Sequence, residues 1–147
     1  MSVDVEDWFH DGGLALDGVG RRVERNTDVL LEEFAAVGAR ATFFVLGAVA
    51  EQHPALVRRI VAAGHEIASH GDQHRHLDTQ LWREFRTDVE RSRQVLEDVA
   101  GVPVRGYRAP YFAIRAGVRW PIEQLAAGMC PKRKSWRIAT GTSHSPL

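Results

Sequence analysis

Ala41-Thr42-Phe43-Phe44-Val45-Leu46 is the stretch that decides the fold. It is a compact apolar run, the pattern of a strand buried on both faces, and such strands belong to sheets covered on each side. The flanking segments supply the cover. Upstream, Val23, Leu30, Leu31, Phe34 and Val37 recur at helical spacing, with Gly38 as a stop. Downstream, Pro54 suits the first turn of a helix through Leu56, Val57, Ile60 and Val61, ended by Gly64. His65-Glu66-Ile67-Ala68 reads as a short third strand. Asp78 is expected to cap a third helix, with Leu81, Trp82, Phe85, Val89, Leu96 and Val99 as its buried stripe and Gly101 as its end. Residues 104–107 form a fourth strand. At the other end, residues 2–6 alternate, Val3 and Val5 on one side and Asp4 and Glu6 on the other, as a first strand does.

The order is therefore β-α-β-α-β-α-β, with connections long enough for parallel strands. This is an α/β sheet with helices outside, either open or part of a barrel. With 147 residues the chain has room for a real core but is short for a complete barrel enzyme, which needs ~200 or more. The net charge is zero, so no basic face for nucleic acid is expected. A single cysteine, Cys130, excludes an internal disulfide and a multi-cysteine zinc site. No long apolar run is present and the acidic N-terminus has no signal core, so a cytoplasmic location without a membrane span is expected. The composition sets no oligomeric state.

In such folds chemistry collects at the C-terminal ends of the strands. Three polar clusters fall there: Asp4, Glu6 and Asp7 after the first strand, His70 and His74 after the third, and Arg108-Ala109-Pro110-Tyr111 after the fourth. His70 and His74 are four apart, which places both rings on one face if this segment turns helically. A bare H-x-x-x-H is common, and a histidine-rich loop without ligands is its bland explanation. Two imidazoles plus one carboxylate, however, make a site for a divalent metal with open positions. Strand parity puts Asp4 and Glu6 on the same face, so one can bind metal while the other takes a proton; Asp7 competes for the ligand role. Arg108 is placed to orient a carboxylate by a paired hydrogen bond. Pro110 fixes the backbone that aims the Tyr111 N–H at a developing oxyanion. Trp8, Tyr107 and Tyr111 are candidates for either core or substrate contact.

Taken together, four ordered segments resemble the NodB-homology polysaccharide deacetylases, a carbohydrate esterase family 4-like group. They are Ser2-Val3-Asp4-Val5-Glu6-Asp7-Trp8-Phe9, Ala41-Thr42-Phe43-Phe44-Val45-Leu46-Gly47, Gly64-His65-Glu66-Ile67-Ala68-Ser69-His70-Gly71-Asp72-Gln73-His74 and Arg105-Gly106-Tyr107-Arg108-Ala109-Pro110-Tyr111. The first is D-V-E-D rather than the commoner F-D-D-G, a form similar to the branch found with exopolysaccharide and exosortase systems. The resemblance implies a partial (β/α) barrel, roughly the first four strands with their helices, over residues 1–128. It implies metal-assisted removal of acetyl groups from an acetylated polysaccharide or oligosaccharide. By position Asp4 resembles the base, Arg108 the residue orienting it, and the Tyr111 backbone the oxyanion donor. Glu6, His70 and His74 resemble the ligands of a divalent ion, zinc first, with the spacing leaving Asp7 in contention. Trp8 and Pro110 are expected at the substrate.

The resemblance stops near residue 128. Both lysines, the only cysteine and no acidic residue occupy residues 129–147, which are expected to form an anomalous, disordered tail from a truncated or shifted reading frame. The family's late motifs, including a histidine that protonates the leaving amine, are not matched there, and His144 is no substitute. A catalytically dead fragment is therefore an expectation beside the working deacetylase. A related amide or imide hydrolase and a non-enzymatic carbohydrate-binding module are the remaining alternatives.

Overall fold

The computed structural model describes residues 1–7, 22–114, 118–126 and 137–139. Five strands form one sheet in the order β1-β2-β3-β4-β5, and every neighbouring pair is parallel. They are β1 (Ser2–Val5), β2 (Thr42–Val45), β3 (Glu66–Ser69), β4 (Gly106–Arg108) and β5 (Arg137–Ala139). Between them run α1 (Val23–Ala36), α2 (Gly47–Gln52), α3 (Pro54–Ala62), α4 (Trp82–Ala100) and α5 (Trp120–Ala126). Sequential order with helical connections is the arrangement of one wall of a (β/α) barrel. Among the described residues no helix is long and apolar enough to cross a membrane.

The register sorts side chains into two faces. Val5, Val45, Ser69, Tyr107 and Ile138 stand in one row, and Asp4, Phe44 and Ala68 in the next. Because successive strand residues point to opposite faces, Val3, Val5, Phe43, Val45 and Ile67 share the helix side. There they pack with Leu56, Val57, Ile60 and Leu96 in the larger core. A second cluster joins Phe85 and Val89 of α4 to Tyr107, Ala109 and Leu125. The opposite face receives Asp4, Phe44 and Arg108. Alternation thus delivers the polar groups of β1 and β4 to one concave side.

Several expectations change. α2 was not foreseen; it begins directly at Gly47 after β2. Asp78 lies in a short 3-10 turn, Leu77–Thr79, and α4 starts at Trp82, where the Glu84 carboxylate accepts from the Leu81 N–H at 2.8 Å. Leu81 and Trp82 are exposed, and the buried stripe is Phe85, Val89, Ser92 and Leu96. The fifth strand lies inside the stretch expected to be a disordered tail. Residues 137–139 instead pair with β4, with Gly106 opposite Arg137 and Tyr107 opposite Ile138. The physical reason is that β4 has a second edge, and the Arg137 N–H reaches the Arg105 carbonyl at 2.7 Å. Trp8 and His144 lie outside the described residues.

Candidate metal centre and active site

Glu6 follows the last residue of β1, and His70 follows the last residue of β3, so two strand ends bring them to one rim. His74 arrives differently. The segment after His70 is not helical: Gly71 has φ +83° and His74 has φ +53°. This loop turns back on itself and sets the two imidazoles 5.2 Å apart, centre to centre. The condition of a helical turn is not met, and a tighter loop brings the rings together instead. It is held from below: the Gly71 and Asp72 carbonyls accept from the N–H groups of Gly47 and Ala48 at 3.0 and 3.1 Å. Those donors are the free N–H groups of the first turn of α2, so a helix start and a loop satisfy each other.

Glu6 Oε2 lies 2.8 Å from His74 Nε2 and 4.0 Å from His70 Nε2. One ligand atom from each of the three residues lies within 4.8 Å of the others. Bonds of ~2.0–2.2 Å to nitrogen and oxygen let one divalent ion reach donors on this scale, so the set fits a metal. The donor chemistry agrees, since His70 Nδ1 faces the Arg108 carbonyl at 2.9 Å. A carbonyl can only accept, so the proton sits on Nδ1 and the Nε2 lone pair points at the cluster. Burial pushes the His70 pKa below the ordinary imidazole value, against the pull of Asp4 and Glu6, which favours the neutral ligand form. Asp7 is buried, and its Oδ1 accepts from the Arg22 N–H at 3.1 Å, at the entry to α1. The cluster of ligand atoms contains Glu6 and not Asp7.

Beside this cluster Arg108 Nη1 donates to Asp4 Oδ1 at 2.6 Å, while Nη2 donates to Ser2 Oγ at 2.8 Å. The guanidinium is stacked 4.0 Å from the Phe44 ring centre and 5.3 Å from that of Phe112. Such a clamp fixes a planar cation and the carboxylate it holds. Tyr111 has φ +58° and Phe112 φ +49°. The Tyr111 ring sits 4.7 Å from His74 and 5.0 Å from His76, over the loop that carries the second imidazole. Pro110 is buried at the start of this turn, where it shapes the backbone.

Sequence reasoning gave no role to Asp72, Asp88 or Arg91. Asp72 is buried and held by Arg91, which also grips Glu51 at 2.8 Å. Asp88 Oδ2 accepts from the Asp72 N–H at 2.8 Å. Burial raises the Asp88 carboxyl pKa, and burial together with Asp88 raises that of the Tyr107 phenol. The available signal was Ser92, a polar residue in the stripe of Phe85, Val89 and Leu96, with Asp88 and Arg91 on adjacent positions.

The chain belongs to the polysaccharide deacetylase family, whose pattern matches residues 9–129. Asp4 and Glu6 precede the matched span. A peptidoglycan-N-acetylglucosamine deacetylase of Bacillus cereus is 32% identical over 99 residues, covering 67% of this chain and 36% of that protein. A chitooligosaccharide deacetylase of Sinorhizobium fredii is 40% identical over 86 residues, covering 58% of this chain and 40% of that protein. The chain therefore spans well under half the length of these relatives. Among solved structures, a family 4 carbohydrate esterase from Streptomyces lividans in complex with acetate superposes with a TM-score of 0.63. It is 27% identical, with 84% of this chain and 56% of that one covered.

Proposed function

We propose that this chain carries the metal-binding and proton-accepting part of a deacetylase acting on N-acetylglucosamine-containing polysaccharide or oligosaccharide. The observation that carries the reading is the meeting, on one strand-end rim, of the Glu6, His70 and His74 ligand atoms with the Asp4–Arg108 pair. The deacetylase relatives support the reaction class.

Glu6, His70 and His74 would hold a divalent ion, with zinc the first choice for two nitrogens and one oxygen. Such an ion supplies Lewis acidity toward the acetyl carbonyl and toward water. Asp4 accepts the proton from the attacking water, and Arg108 keeps the carboxylate oriented for it. The Tyr111 N–H donates to the acetyl oxygen as negative charge develops there. The positive φ at Tyr111 and Phe112 is backbone strain of the kind that functional turns retain.

The test is zinc stoichiometry of the purified chain, together with acetate release from an acetylated chitooligosaccharide. Bound metal that disappears in His70→Ala, with acetate released by the wild type, supports the full reading. Bound metal without acetate leaves a binding-competent but inert chain. A folded sample that takes up no divalent metal removes the assignment of all three ligands.

A further inference from the structure

α4 holds the loop that separates His70 from His74 through a set of polar groups. Asp88 Oδ2 accepts from the Asp72 N–H at 2.8 Å, and the Gln73 N–H bonds the same carboxyl group. One helical turn further on, Ser92 Oγ meets Ser69 Oγ at 2.9 Å, and Ser69 Oγ accepts from the Gly71 N–H at 3.2 Å. Arg91, between them on the helix, pairs with the Asp72 carboxylate. Three residues at i, i+3 and i+4 thus present one face to a single loop.

Between this loop and α4 lies a hollow of about 820 Å³ bordered by Asp72, Gln73, Arg75, Asp88 and Arg91, and none of Glu6, His70 and His74 lines it. Hydrogen bonds to Ser69 and Asp88 brace the turn at Gly71, whose φ is +83°. A Cβ on Gly71 would stand 2.9 Å from Asp88 Oδ2, so the carboxylate is pressed against the turn itself.

We infer that Asp88 is a positioning residue for the metal centre, fixing the turn between the two histidines and so the separation of their ring nitrogens. The inference rests on the metal-site reading above, but its test does not depend wholly on it. Groups that orient ligands from behind are worth ~10–100-fold in metal affinity.

Asp88→Ala and Asp88→Asn are compared with the wild type in two measurements. In the first, zinc is titrated against a chromophoric chelator. Asp88→Ala is expected to weaken binding by ~10-fold or more, with Asp88→Asn between it and the wild type because one acceptor remains. In the second, amide hydrogen exchange is followed in metal-free protein. Residues 70–74 are expected to exchange about fivefold faster or more in Asp88→Ala, with α1 unchanged. Unchanged zinc affinity in a folded Asp88→Ala protein overturns the proposal. So does unchanged exchange in residues 70–74, whether or not zinc binds. A wild type that binds no zinc sinks the metal reading, and the exchange result then decides on Asp88 alone.

Discussion

Arg108 and Asp4 meet side chain to side chain at 2.6 Å across 104 residues of sequence, while the carbonyl of the same Arg108 faces His70 Nδ1 at 2.9 Å. One residue therefore ties the proposed base and a proposed ligand together through two different groups. Only the first of these is lost on substitution, because the carbonyl belongs to the backbone. Arg108→Met is expected to lower acetate release about 10- to 100-fold, the rate equivalent of a charge-assisted hydrogen bond of ~1.5–3 kcal/mol. Zinc stoichiometry should stay at the wild-type value. Loss of metal from the folded variant would show that the guanidinium acts on the ligands rather than on Asp4.

Glu6 is the carboxylate of the proposed ligand set and Asp7 accepts from the Arg22 N–H, and a pair of variants separates the two. Glu6→Gln is expected to weaken zinc binding by at least ~10-fold, since even partners behind a ligand are worth that much. Asp7→Ala should leave zinc affinity nearly unchanged and instead lower stability by ~1 kcal/mol, through the lost bond to the Arg22 N–H. Calorimetric titration and urea unfolding read the two effects. The opposite result would transfer the ligand role to Asp7.

What the sequence discloses here is what depends on local pattern. The unbroken run around Phe43 and Val45 is a strand because its neighbours on both faces are covered. Period-2 alternation predicts Asp4 and Glu6 on one face, and β1 itself ends at Val5, one residue before Glu6. Gly38, Gly64 and Gly101 follow their helices with φ of 63°, 82° and 67°, the stops their chemistry announces. What stays hidden depends on distant partners. α2 has no local cap; its first N–H groups are satisfied by Gly71 and Asp72, more than twenty positions away. The His70–His74 geometry comes from that same tertiary support, so reading their spacing as a helical turn gave the right neighbours by the wrong backbone. β5 has three residues, too few for a periodic signal, and only the edge of β4 defines it.

His65 links pH to stability independently of the metal site. It is buried, its Nδ1 accepts from the Ala41 N–H at 3.2 Å, and its ring packs on Phe34 and Phe43. Burial first, and the charge of Arg40 second, hold its pKa below the ordinary histidine value. The unfolded chain therefore binds a proton at this position more readily than the folded one. Stability is complete above the unfolded pKa of ~6.5 and falls as pH drops below it, until the folded imidazole is protonated too. His70 shifts in the same direction, so the informative quantity is a difference between proteins. The urea midpoint should fall from about pH 7 to about pH 5 in the wild type and fall less in His65→Asn. Parallel curves would remove His65 from the account.

Gly47 brings α2 close to both α4 and the histidine loop. A Cβ there would overlap Asp72 Oδ1 and stand 3.1 Å from the Ser92 Cα. The first neighbour is a side chain and the second is backbone, so relief can come from Asp72 but not from Ser92. Gly47→Ala is therefore expected to cost ~1–3 kcal/mol of stability, the usual range for overpacking. It should also weaken zinc binding, because an Asp72 displaced from Arg91 disturbs the turn between the ligands. Asp72→Ala removes the movable part of the clash. The two substitutions should then be non-additive by ~0.5–3 kcal/mol, the double variant being more stable than the sum of the singles predicts. Urea unfolding of the four proteins closes this cycle. Strict additivity would mean that the strain at Gly47 falls on Ser92 and the helix backbone, and that the loop of His70 and His74 does not feel it.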